Sequence, residues 1–195
     1  MATLREAVDR KDWVRGDERA EVTLVEYGDL ADRNTAALEP VLRRLQETMG
    51  DRLRIAYRHL PLGPREGLAA AQAAEFAGKR GKFWQMHDLL LGRQGALGED
   101  DLVRYAQELG LDGAALRREM QSGELERAVR EDMASAVRSG ALGVPTLFIN
   151  GDRYDGPRTE HDIKEAIERA ARQPWGAEVE TTGPQRAMPG AGRKE

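Results

Sequence analysis

Apolar positions along the chain change period several times, and each change marks an element. In "EVTLVEYG" (residues 21–28) β-branched and apolar residues run up to Gly28, which predicts a strand. From Asn34 to about Met49 the spacing becomes helical, with Leu38, Val41, Leu42 and Leu45 on one stripe. "RLRIAYRHL" (52–60) predicts a second strand, closed by "PLGP". Five helical patterns follow: "GLAAAQAAEFAGK", "KFWQMHDLLLGR", "GEDDLVRYAQELG", "DGAALRREMQSG" and "ELERAVREDMASAVRSG". Acidic or polar openings and glycine closures punctuate several of them. The chain then returns to strand at "VPTLFING" (144–151), with "DRYDG" as a hairpin partner and "TEHDIKEAIERAAR" as a last helix.

The order is β-α-β, a helical block, then β-β-α. This predicts an α/β fold with one mixed central sheet and an inserted helical subdomain packed over it. The expected organisation is an N-terminal segment at 1–20, a core built from 21–62 and 140–172, and an insertion at 63–139. Residues 173–195 carry glycine, proline and charge without periodicity, so they are expected to form a flexible tail. No internal repeat of fixed period is present.

Composition narrows the chemistry. A chain of 195 residues with 40% hydrophobic and 33% charged residues fits one folded domain rather than a disordered chain. Net charge is -4 and no arginine block is present, so a nucleic-acid partner is not expected. No apolar run approaches the roughly 18 residues needed to cross a bilayer, and the N-terminus lacks a signal-like apolar core. A cytoplasmic location and no membrane partner are the resulting expectations. The absence of cysteine excludes disulfide exchange, cysteine nucleophilic catalysis and cysteine-ligated metal. His59, His87 and His161 lie far apart without zinc-site spacing, and "GRQGALGED" lacks a phosphate-loop lysine. No metal or other cofactor is expected. His87 reads as a helix-surface or capping residue, and Phe83, Trp84 and Met86 as core.

Several motifs together resemble the DsbA-like branch of the thioredoxin fold, as found in compact bacterial proteins. "VTLVEYGD" (22–29), "EP" (39–40), "YRHLPL", "GKFWQMHDLLL" and "GVPTLFING" fall in that family's order and spacing. The resemblance covers about residues 10–171 and implies a thiol-disulfide oxidoreductase by descent. The family's C-x-x-C, however, falls on Asp32-Arg33-Asn34-Thr35. All four positions differ from the pattern, which reads as natural divergence, and no redox activity carries over.

The helix terminus that stabilises a thiolate in such proteins favours any anion. Asp32 supplies one, either as an N-cap alone or as a fixed charge for a cationic or N–H-rich ligand. Arg33 could neutralise Asp32 or reach a ligand carboxylate. The resemblance places Glu26 beneath the site, where it would face Asp32 and Thr35, and a close carboxylate pair would raise one pKa. It also implies a cis bond before Pro145, with the Val144 backbone free to pair with an extended peptide beside Thr146. That proline could equally serve turn geometry alone. Tyr27 and Leu30 flank the site and are expected to line a groove. The expected function is therefore a redox-inactive binding or chaperone-like module for a peptide or protein ligand. Glutathione, held by the Thr35 hydroxyl as in kappa-class transferases, is the alternative ligand. A structural subunit is a third reading, and either a monomer or a homodimer is compatible.

Overall fold

The computed structural model describes residues 2–63 and 65–173. The predicted tail from 174 onward lies outside the described residues. A five-stranded mixed sheet has the order β1-β3-β2-β4-β5. Strand β2 (Val22–Gly28) is buried along its whole length and occupies the centre. Helix α1 (Arg33–Met49) carries the chain over one face to β3 (Leu53–His59), which pairs with β2 in parallel, from Val22↔Leu53 to Gly28↔His59. Strand β4 (Thr146–Ile149) returns antiparallel to β2, and β5 (Asp152–Tyr154) closes a hairpin with it. The hairpin turns through Asn150 and Gly151, both at positive φ (45° and 85°), the geometry that an Asn-Gly pair favours. Helix α7 (Glu160–Ala171) then packs beside α1.

The predicted strands and the two flanking helices are all present, and the sheet gains one strand more. Strand β1 (Trp13–Arg15) pairs antiparallel with β3, opposing Trp13 to Tyr57. Three half-buried residues without alternation leave no periodic signal in the sequence. The stretch before β1 continues across the molecule: Leu4 donates to the Gly151 carbonyl at 2.8 Å, and Thr3 bridges Asp152 of β5. Buried Arg58 of β3 ties this stretch down. Its guanidinium bonds the carbonyls of Glu6 and Ala7 and grips Asp12 through two nitrogens, at 2.6 and 3.0 Å.

Two cores lie on the two faces of the sheet. On one, Leu38, Leu42 and Leu45 of α1 and Ile163 and Ile167 of α7 cover Leu24, Ile55 and Leu147. Leu42 and Leu45 are wholly buried, each contributing about 2 kcal/mol of transfer free energy. On the other face, Leu4, Ala136 and Ala141 cover Val25, Tyr27 and Phe148. The helical block comprises α2 (Glu66–Gly78), α3 (Phe83–Gly92), α4 (Glu99–Glu108), α5 (Gly113–Ser122) and α6 (Glu124–Arg138). Alanine-rich α2 is its axis, touched by α3, α4, α5 and α6, and small side chains suit a helix approached from several sides.

Candidate functional site

The vacated site is the turn from β2 into α1, at the centre of the sheet's edge. Gly28 is required there by crowding: a Cβ on it would fall 2.8 Å from the Tyr57 hydroxyl and 3.0 Å from Cγ2 of Thr35. The next residue, buried Asp29, ties the turn to the chain after β3. Its two oxygens accept from the backbone N–H groups of Ala31 and Leu62, each at 2.9 Å.

Asp32 is the N-cap of α1. Its Oδ1 accepts from the N–H groups of Asn34 and Thr35, each at 2.9 Å, so the donors that would stabilise a thiolate are occupied. The Thr35 hydroxyl is buried and placed 3.3 Å from both the Asp29 N–H and Asp32 Oδ1. Gln94, from the loop after α3, donates to the carbonyls of Leu30 and Asp32 at 3.1 and 2.7 Å and straps the turn from above. Arg33 and Asn34 are exposed.

Glu26 does not pair with Asp32. Its carboxyl is pushed up to about 8, first by burial and next by the charge of Glu39, with Arg15 and Arg158 opposing. The reason is helical geometry: Glu39 is four residues beyond Thr35, on the face of α1 turned to the sheet, whereas Asp32 turns back onto its own helix end. Arg15 of β1 holds Glu39 through two nitrogens at 2.9 and 3.1 Å. Sequence reasoning missed Glu39. The available signal was a carboxylate inside the apolar stripe of α1, beside Leu38 and Leu42.

Three other expectations are corrected. Tyr27 is wholly buried on the opposite face of the sheet, its hydroxyl 2.7 Å from that of Ser135 and accepting from Arg58, because alternation turns it away from Glu26 and Gly28. Leu30 is buried among the residues of the helical block, since its side chain fills the junction between turn and insertion. His87 is fully buried as well, at 4.8 Å ring-to-ring from Tyr57, and burial lowers its pKa. Phe83 and Met86 are core, and Trp84 packs against it.

Behind the helix terminus, therefore, lies a polar pocket of core. Glu26 Oε1, the Tyr57 hydroxyl and His87 Nε2 are buried there without hydrogen-bond partners among the described residues. Tyr57 is pushed up by burial and then by Glu26, so it stays a neutral phenol. Glu39, His87 and Asp88 bring one ligand atom each within 4.8 Å of one another. Arg15 and Arg43 already pair with those two carboxylates, supplying the positive charge a cation would bring.

The opposite wall is the loop before β4. The Val144–Pro145 bond is cis. Pairing of Tyr27 with Thr146 brings Pro145 level with Gly28, beside the turn. Thr146 donates its hydroxyl to the Gly143 carbonyl at 2.6 Å, and Arg158 donates to the Pro145 carbonyl at 2.6 Å. Among the described residues, no hydrogen bond uses the backbone of Val144. Leu62 and Leu142, strongly exposed at 57% and 77%, flank this end of the sheet. Of the sequence-predicted site, Asp32–Thr35 and Val144–Thr146 are thus brought to one end, while Tyr27 and Leu30 are not at the surface.

The comparisons agree with this architecture. Residues 9–169 match the Thioredoxin_4 family, described as thioredoxin, and the chain belongs to that family. It has a DsbA-like thioredoxin fold and no cysteine. Among solved structures, oxidised BdbD from Bacillus subtilis shares 20% identity, with a TM-score of 0.77 over 84% of this chain and 94% of that one. A thioredoxin-like oxidoreductase from Silicibacter pomeroyi shares 27%, with a TM-score of 0.76 and the same coverage. Among curated relatives, the Na(+)/H(+) antiporter NhaA 1 of Salinispora arenicola is 40% identical over 162 residues, 82% of this chain and 25% of the relative. The NhaA antiporter of Herminiimonas arsenicoxydans is 40% identical over 164 residues, 83% of this chain and 26% of the relative. The chain spans about a quarter of the length of the curated relatives it matches.

Proposed function

We propose that this is a redox-silent binding module that takes an extended peptide or protein segment at the loop before β4. The observation that carries the reading is the backbone of Val144, which no hydrogen bond among the described residues uses, beside a cis proline at the end of the sheet. An extended ligand would add its own N–H and C=O groups there, as in strand addition. Leu62 and Leu142 would give it apolar contact. Glutathione fits less well: Asp32 already takes the helix-end donors, and its carboxylate would repel a thiolate a few ångströms away.

An NMR titration of labelled protein with an unstructured peptide mixture, then with glutathione, tests this. Shifts at Val144–Thr146 with peptide and none with glutathione are expected. Shifts confined to the helical block would refute the groove, and a glutathione response at Asp32–Thr35 would favour the transferase reading.

A second reading comes from the curated relatives. The segment they share with this chain would then serve as a docking domain attached to a sodium/proton antiporter. No helix among the described residues is long and apolar enough to cross a membrane, so transport itself would belong elsewhere. Deleting the matching segment from the Salinispora arenicola relative and measuring exchange in inverted vesicles distinguishes a modulating domain from a dispensable one.

A further inference from the structure

Next to the Pro145 carbonyl, a pocket of about 390 Å³ opens between the loop before β4 and the chain linking β5 to α7. Pro145, Thr146, Arg153, Tyr154, Asp155 and Arg158 line it. Its charges are two guanidinium groups and one carboxylate, an excess of positive charge on a chain whose net charge is negative. The two arginines are engaged differently. Arg153 is paired with Asp155 at 2.7 Å and bonds the Gly140 carbonyl at 2.6 Å. Arg158 makes one hydrogen bond, from Nη2 to the Pro145 carbonyl, and has no ion-pair partner among the described residues. The hydroxyl of Tyr154 is spent on the Pro157 carbonyl at 2.6 Å. What remains for a ligand is the Nε–H and Nη1 side of Arg158, held in place by its bond to the residue after Val144.

We propose that this pocket is a carboxylate-binding subsite, with Arg158 as the residue that selects a peptide bearing an acid next to the segment paired with Val144. The inference rests on the peptide-groove reading and adds the chemistry of what the groove prefers. A guanidinium presents several donors in a plane that matches a carboxylate, and one anchored donor leaves the others oriented at little entropic cost. Glu26 does not satisfy Arg158. It is a buried carboxyl of the central strand, and its raised pKa keeps it protonated at neutral pH. The acid is an Asp or Glu side chain of the ligand, or its C-terminal carboxylate; both offer the same two oxygens.

The test is fluorescence anisotropy with short labelled peptides of β-branched residues carrying Glu, Gln or Lys at the centre, each with a free or an amidated C-terminus. Binding by the full chain is compared with that of Arg158→Gln and Arg158→Lys, their fold checked by circular dichroism. The Glu peptide is expected to bind about tenfold tighter than the Gln peptide, and the Lys peptide weakest. Arg158→Gln should erase the preference while leaving the Gln peptide's affinity unchanged, and Arg158→Lys should keep part of it. A tenfold loss on amidation rather than on Glu→Gln supports the subsite and assigns it to the C-terminus. Equal binding of all peptides overturns the subsite but leaves the groove standing, as does an equal loss for Glu and Gln peptides in Arg158→Gln. No binding of any peptide to the wild-type chain overturns the groove itself, and the subsite with it.

Discussion

Glu26 shows how one buried side chain links the core to solution pH. Its carboxyl is raised from 4.5 to about 8, so between those values the folded protein holds a proton that the unfolded chain releases. Stability is therefore greatest on the acidic side of the window, falls as pH rises through about 8, and levels off above it. Fully expressed, a shift of that size is worth up to roughly 5 kcal/mol. Asp132, raised to about 7 by burial, acts in the same direction and is half-titrated at pH 7. His87 acts oppositely, since its lowered pKa weakens the fold as pH drops below about 6.5. From pH 7 to 8.5 Glu26 is therefore the larger of the two contributions. Urea unfolding of the wild type should show a falling midpoint across this interval, and Glu26→Gln should show a clearly shallower fall. A wild-type midpoint that does not move would refute the raised carboxyl.

At the scale of elements, the end of α1 has exchanged one anion for another. The Asp32 cap should be worth about 1 kcal/mol, so Asp32→Ala should lower the unfolding free energy by that amount and no more. Chemical denaturation checks the figure, and a loss several times larger would mean that the Asp32 carboxylate also fixes the buried Thr35 hydroxyl. This element was largely legible in sequence, because a cap and an apolar stripe are local patterns: Asp32 stands before Leu38, Leu42 and Leu45 within one stretch of chain. The Asn-Gly turn and the α7 stripe are local in the same sense. Glu39 was legible only as an anomaly in its stripe. Its meaning came from Arg15, twenty-four positions earlier and on a strand too short to leave a pattern. Arg158 gave no signal at all, since nothing in "DGPRTE" indicates that its guanidinium meets the Pro145 carbonyl. Tyr27 and Leu30 misled for the opposite reason. Proximity along the chain suggested a shared surface, and strand alternation together with the helical block removed both from it.

At the scale of the whole molecule, stability depends on a stretch of chain that contains little regular structure. Buried Arg58 collects the carbonyls of Glu6 and Ala7 and the carboxylate of Asp12. Removing its side chain would leave Asp12 without its ion pair in a nearly water-free setting, a change that typically costs 3–5 kcal/mol. Arg58→Ala should therefore destabilise the protein by about that much and speed amide exchange in residues 4–15 before the rest. Exchange that quickens uniformly would mean that the N-terminal stretch is not a separate clasp.

That stretch touches both lateral rims of the sheet, through Thr3 at β5 and through Trp13–Arg15 at β3. The stretch crosses four strands, β5, β4, β2 and β3, a span of about 24 Å from Thr3 to β1 at ordinary inter-strand spacing, and ten extended residues reach about 33 Å. The contact at β5 is too short to persist as a free fragment; it holds because the β1 end keeps it close, at high effective concentration. A protease that nicked the backbone between Leu4 and Asp12 would turn the Thr3 contact into a dissociable one, while Trp13–Arg15 would stay joined to β2 through residues 16–21. The β5 margin of the sheet would then stand open to a second molecule, while β1 still covered β3.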